Sequence, residues 1–324
     1  MKKILITGAN GYIGARLSKY LSLAGYSVSG ICYPDIPGDL VWKKYFNHLY
    51  NFDLKKPGVI DKLSDTYYDV VIHLVSLDYK QSNGEPDFVN SVNVTPTWSL
   101  LRSFTGKNNI AKFIYFSTIH VYGHFPPAII SEDRMPAPQN IYGVTHLMSE
   151  DLCNLFNRIS DTNCINVRLS NSYGSPIFKD NNCWGLVVND LCKTAFDKKN
   201  IYLKSDGSPQ RDLIHINDVC RSIEILINKD LKNIEDNIFH ISSGRTFTVL
   251  DLAHLIRKIY NERYQKEINI FLQDNSISDI PDGIPKAICY TISNSRLKSL
   301  GFSPEFDLAA GINEIFEFLE HNDE

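Results

Sequence analysis

Five short runs rich in branched and aromatic residues, at 3–7, 28–32, 69–74, 112–118 and 165–169, recur along the first half of the chain. Each is apolar at most positions rather than at alternate ones, the pattern of a strand covered on both faces. Between them, residues 12–23, 86–104 and 142–158 carry apolar side chains at helical spacing. Strands alternating with helices predict an α/β fold, a doubly wound parallel sheet. Beyond Leu169 the alternation fails. Residues 170–210 mix Gly, Pro, Asn and Lys around one helical stretch at 184–197. Runs at 214–216 and 239–241 read as short strands, and 248–260 and 308–319 as amphipathic helices. The second half is therefore expected to form a smaller, irregular C-terminal lobe on the sheet's C-terminal edge. No linker-like segment separates the halves, so a cleft is expected between them.

The junction of the first strand and first helix reads Thr7-Gly8-Ala9-Asn10-Gly11-Tyr12-Ile13-Gly14. Glycines at these three spacings allow a tight turn, close approach of a pyrophosphate, and packing of helix on strand. The helix N-terminus adds free N–H groups and a partial positive charge. A turn of this kind between strand and helix predicts a dinucleotide held by Gly8, Asn10, Gly11, Tyr12, Ile13 and Gly14. Residues 1–168 would then be a Rossmann dinucleotide-binding domain. Residues 169–324 would be mainly a substrate-binding lobe, with about 212–240 returning to the Rossmann sheet. The second strand ends at Cys32, where an acidic residue would bond the ribose hydroxyls of NAD. No acid stands there, and Arg16 on the first helix is a candidate partner for a 2′-phosphate. NAD and NADP both stay open, with the lean toward NADP. Asp53 and Leu54, after the third strand, are candidates for the adenine side.

Composition narrows the partners. Lys and Arg total 33 against 37 Asp and Glu, a net charge of −4, which gives no electrostatic reason for a nucleic-acid or anionic-membrane partner. No run approaches the roughly 18 apolar residues of a membrane span. Seven cysteines are scattered without a Cys-x-x-Cys pair, which argues against a disulfide framework and for the cytoplasm. His120 and His124 flank a strand end with no Cys or carboxylate cluster beside them, so no metal site is expected.

Further motifs, in order and spacing, are His73-Leu74-Val75-Ser76, Asn93-Val94, Ser117-Thr118-Ile119-His120-Val121-Tyr122-Gly123 and Tyr142-Gly143. They continue with Arg168 to Gly174, Gly207 to Asp218, Phe239 to Gly244 and Leu300-Gly301-Phe302. With them the chain resembles the extended short-chain dehydrogenase/reductase family, specifically its nucleotide-sugar epimerases, dehydratases and reductases, almost end to end. The resemblance implies oxidation or reduction at a sugar carbon with a tyrosinate as base. The family's catalytic Ser/Thr lies four residues before the Val-Tyr-Gly tyrosine, which places it on Thr118; its tyrosine falls on Tyr142. Leu74, Val75, Ser76 and Asn93 match cofactor-side positions. Asn171 and Arg211 match contacts to the substrate's nucleotide diphosphate. A homodimer through the helices at 86–104 and 142–158 is implied as well.

Three departures matter. The family reads Tyr-x-x-x-Lys, whereas this chain reads Tyr142-Gly143-Val144-Thr145-His146. The lysine holds the nicotinamide ribose and lowers the tyrosine pKa from about 10. His146 is expected to hold the ribose, but mostly as a neutral ring. The acid pair that follows the Thr in 4,6-dehydratases is Ile119-His120 here, and isoleucine delivers no proton. The late Arg of the family's Arg-Pro-Gly-Asp segment is Ile280. The expected activity is NAD(P)-dependent epimerisation or oxidoreduction of a nucleoside-diphosphate sugar, at C4, by Thr118, Tyr142 and His146, rather than 4,6-dehydration. The alternatives are a 4-keto-sugar reductase and a cofactor-binding protein of weakened catalysis.

Overall fold

Seven parallel strands form the central sheet, in the order Ile238–Ile241, Asn163–Leu169, Ile110–Thr118, Tyr68–His73, Lys3–Thr7, Ser27–Cys32 and His48–Asn51. The computed structural model describes residues 1–231, 237–274 and 290–322. Both faces of the sheet are covered because successive side chains of each strand enter different layers. Ile4 and Ile6 pack with Leu17 and Ile223 on one side, and Leu5 with Phe104 and Phe113 on the other. The first layer carries helices Tyr12–Leu23 and Ile216–Asn228, the second Thr95–Gly106 and Ile141–Ile159.

The chain winds outward from Lys3–Thr7 through two strands, then returns to lay Tyr68–His73 on the other side. The crevice beyond the ends of these neighbours is a topological switch point, where such sheets bind ligands. Thr7 and His73 pair there in register, with Thr7 Oγ1 2.7 Å from His73 Nδ1.

The stretch at 86–104 is two helices, Pro86–Asn93 and Thr95–Gly106. Pro96 lies in the first turn of the second, where its missing N–H costs nothing; one continuous helix would have needed that donor. The strand read at 214–216 is Gln210–His215, and Ile216 instead starts a helix capped by His215, whose Nδ1 accepts from Asn217 N at 3.3 Å. That strand joins Asn171–Tyr173 and Thr246–Thr248 in a separate three-stranded sheet. Of residues 212–240, those in the seven-stranded sheet begin at Ile238, beside Asn166.

A second apolar core is built by helices Val187–Lys198, Val249–Tyr264 and Leu308–His321, with Leu191, Ile256 and Phe316 at its centre. The last helix is tied back to the first. Arg16 Nη2 lies 2.6 Å from Glu314 Oε1, and His215 Nε2 lies 3.1 Å from Glu314 Oε2. Burial alone would raise the Glu314 carboxyl; the His215 bond and the Arg16 charge bring it down to about 2.

Candidate active site

The glycine turn is a backbone site. Gly8 has φ +70°, and a Cβ on Gly14 would lie 2.1 Å from the Gly8 carbonyl oxygen. No other residue fits at 14 unless the turn moves. Gly11 caps the Tyr12–Leu23 helix without a side chain, and the first helical turn holds no acid. Its N–H groups are therefore left for an anion. Val75 stands against Gly8, 3.4 Å from where a Cβ would be. Leu74 N donates to Thr7 Oγ1 at 3.2 Å. Tyr12 donates its hydroxyl to Gly174 O at 3.0 Å, and Ile13 packs into the core.

Asn10 turns its amide inward, donating to the carbonyls of Tyr33 at 3.1 Å and Asp35 at 3.2 Å. It shapes the loop after the second strand. Cys32 is wholly buried there, with its thiol pushed up to about 12 by burial, and exposed Tyr33 follows. Asp53 Oδ1 accepts from Lys55 N at 3.0 Å, and Leu54 is core. Arg16, a candidate partner for a 2′-phosphate, instead donates its guanidinium to Ser175 Oγ and Glu314 and is held at the lobe junction.

Thr118 ends its strand and accepts from His120 N at 3.2 Å, starting the short Ile119–Tyr122 turn. Helix Ile141–Ile159 begins beside that turn, capped by Asn140, whose side chain accepts from Gly143 N at 2.8 Å. A Cβ on Gly143 would lie 2.7 Å from His120 O, so glycine lets helix and turn meet. The contact brings Tyr142 toward Thr118, whose hydroxyl acts on the phenol. Burial raises the Tyr142 phenol, the Thr118 hydroxyl opposes the rise, and Asp78 adds to it.

His146 packs edge-on against the Tyr142 ring at 4.5 Å between centroids. Its Nδ1 lies 2.8 Å from Tyr115 Oη and its Nε2 3.2 Å from Ser76 Oγ. Both ring nitrogens thus face protein groups. Burial brings the ring down to about 3, so it is neutral. Asn93, buried, accepts from Leu77 N at 2.8 Å and donates to Thr145 Oγ1 at 3.0 Å, tying the Ser76 loop to the same helix.

Behind this corner runs a buried ion pair. Arg168 Nη2 lies 2.6 Å from Glu150 Oε2, Ser117 donates to Glu150 Oε1, and Arg168 Nη1 donates to Tyr122 Oη at 2.6 Å. Glu150 is two helical turns from Tyr142, so the pair fixes the helix to the strand that bears Thr118. Sequence reasoning missed Tyr115, Glu150 and Asp78; the eight-residue spacing of Tyr142 and Glu150 on one helix face was the available signal. On the substrate side, Asn171 donates to Asp212 O at 3.0 Å, and Arg211 donates to Gln210 O at 2.7 Å. Burial and the nearby Arg211 charge lower His120. Ile280, with residues 281–283, lies outside the described residues. Among the described residues no helix is long and apolar enough to cross a membrane, and no three His, Cys, Asp or Glu gather to hold a metal ion.

The description "NAD dependent epimerase/dehydratase family" matches residues 4–242. A dTDP-L-rhamnose 4-epimerase of Burkholderia thailandensis is 27% identical, over 97% of this chain and 94% of its own. A dTDP-glucose 4,6-dehydratase of Streptomyces niveus is 22% identical, over 99% and 93%. Among solved structures, a UDP-glucose 4-epimerase of Thermotoga maritima with UDP-glucose is similar at TM-score 0.81 and 22% identity, covering 99% of this chain and all of the other, 100%. A UDP-glucuronic acid 4-epimerase of Bacillus cereus with NAD is similar at TM-score 0.77 and 24% identity, covering 98% and 96%. Matched over most of its length, and carrying the glycine turn with Thr118 and Tyr142 at the switch point, the chain belongs to the NAD-dependent epimerase/dehydratase family of extended short-chain dehydrogenase/reductase enzymes.

Proposed function

We propose that this enzyme transfers hydride between a nicotinamide cofactor and C4 of a nucleoside-diphosphate sugar, as an epimerase or oxidoreductase. The observation that carries the reading is the placing of Thr118 beside the buried Tyr142 phenol, together with the glycine turn at the switch point. The turn suits a dinucleotide, since Gly14 lets the helix pack closely on the Gly8 carbonyl and the helix N–H groups are uncapped for a pyrophosphate. Gly8, Gly11 and Gly14 would hold that group, with Val75 and Ser76 toward the nicotinamide and Tyr33 toward the adenosine. When bound, the cofactor gives or takes the hydride. Thr118 orients the sugar oxygen, and Tyr142 moves the proton on it. Arg211 supplies the cation for the diphosphate and Asn171 a polar contact.

With Arg16 held by Glu314, the lean toward NADP loses its basis, and NAD becomes the first choice. Ile119 leaves no acid next to Thr118, which weighs against 4,6-dehydration. A homodimer fits the exposed Ile141, Val144, Met148 and Leu155, one stripe on the long helix, with exposed Trp98 on the neighbouring one. The six described cysteines are free and buried, which suits a reducing cytoplasm.

The test is turnover of UDP- and dTDP-hexoses and their 4-keto forms with NAD or NADH, read by nuclear magnetic resonance at C4. Tyr142→Phe should lower kcat by about 10²- to 10⁴-fold while cofactor still binds. Full activity in Tyr142→Phe would sink the assignment.

A further inference from the structure

The groups around His146 bear on the direction of hydride transfer. Nε2 of the ring lies 3.2 Å from Ser76 Oγ, and Nδ1 lies 2.8 Å from the Tyr115 hydroxyl. Ser76 also reaches Leu77 O at 2.9 Å and Asn93 Oδ1 at 3.4 Å, so both ring nitrogens are engaged by neutral hydroxyls. The ring has no spare donor and no charge to offer the phenol it packs against.

Among the described residues, the other groups recorded against Tyr142 are not cations either. Asp78 and Tyr79 face it from the loop after Tyr68–His73, and Asp78 raises the Tyr142 phenol further. Thr118 and His120 face it from the end of Ile110–Thr118. His120 in turn lies near Arg211, whose charge opposes its protonation. Asp78 is held in place by Lys80 N at 2.9 Å, Gln81 N at 2.8 Å and Asn182 Nδ2 at 3.0 Å. A buried phenol beside a fixed carboxylate and a neutral imidazole keeps its proton at neutral pH.

We infer that Tyr142 works as a general acid, and that the enzyme's working direction is the reduction of a keto-sugar nucleotide by a reduced nicotinamide dinucleotide. The inference rests on the hydride-transfer reading above. The sugar's carbonyl carbon receives the hydride, and the carbonyl π pair becomes an O–H bond with the proton of Tyr142 Oη. Thr118 donates a hydrogen bond to the same oxygen. The ketone leaves as an alcohol, the dinucleotide is left oxidised, and the tyrosinate regains a proton from water. In the reverse direction Tyr142 must be ionised first, which this environment opposes. A reaction that makes the ketone, an oxidation or a dehydration of a nucleoside-diphosphate hexose, must precede this step.

The test reads the proton directly. The phenolate absorbance of Tyr142 is taken as wild type minus Tyr142→Phe, across pH, in the free protein and with NADH present. The expected result is a Tyr142 phenolate that forms only near or above pH 10, and that His146→Lys moves down by one unit or more. A wild-type phenolate already formed below about pH 8 would overturn the inference. Should His146→Lys fail to fold, the wild-type titration decides alone. Turnover separates the two readings. With a dTDP-4-keto-6-deoxyhexose and NADH, reduction at pH 7 should outrun oxidation of a dTDP-hexose with NAD at least tenfold. Equal rates with a low-pH phenolate would overturn the direction and leave hydride transfer standing. Rates unaffected by Tyr142→Phe would overturn hydride transfer through this residue altogether.

Discussion

The two ends of the cofactor crevice are made of different material. At the glycine turn the backbone is the site: φ +70° at Gly8 and a forbidden Cβ at Gly14 leave N–H groups to face the ligand. At the Thr118–Tyr142 corner the proposed site is made of side chains, and His146 stands there as a neutral ring where the family's motif has a lysine. A backbone site tolerates change around it but none at its glycines. A side-chain site keeps its shape through a substitution while its proton chemistry shifts.

The largest effect should come from breaking the backbone end. Gly14→Val places side-chain atoms where Gly8 O lies, at 2.1 Å from the first of them, so calorimetric titration should detect no NAD binding; wild-type affinity would refute the turn as the pyrophosphate site. At the other end, Glu150→Ala strands Arg168, which is 2% exposed. Losing one partner of such a buried pair costs about 3–5 kcal/mol. Urea denaturation should show it, together with a fall in kcat as the helix bearing Tyr142 loosens. A loss under about 1 kcal/mol would mean that the pair is not a brace.

The smallest predicted effect separates the ends by pH. His73, His146 and His240 are each pressed down to about 3 by burial. Unfolded, each takes a proton near pH 6.5. Between those values the unfolded chain binds more protons, so stability rises with pH and is lost as pH falls. Three such rings imply a loss of about 2 kcal/mol between pH 7 and pH 6, steepening below. Denaturation curves that coincide at pH 7 and 5.5 would contradict neutral buried rings. The glycine turn carries no titrating side chain and should hold its geometry over the same range.

The sheet could be read from sequence because its strands are buried on both faces and its helices are periodic. Ile4, Leu5 and Ile6 have no polar alternative to satisfy. Strand Gln210–His215 was harder, since Arg211 and Asp212 interrupt its apolar run. Asp212 is tolerated there because Ser243 N donates to it, from a loop 31 residues on. Thr118 and Tyr142 could be found by motif. Tyr115 could not: it sits in the run Phe113–Ile114–Tyr115–Phe116 and reads as core until its hydroxyl is seen against His146. Hydrogen-bond partners more than 30 residues apart leave no periodic trace in a chain.

The edge of the sheet also sets an order of events during synthesis. Six strands are complete once Leu169 has been made, but the seventh, Ile238–Ile241, follows some 70 residues later. At roughly 5–20 residues per second the ribosome leaves Asn163–Leu169 without its outer neighbour for about 4–14 s. Lys112 waits with it, since its ammonium is satisfied by the carbonyls of Leu226, Ile227 and Lys229. Through that interval the nascent chain presents an open strand edge, the state in which β-proteins pair with the wrong neighbour.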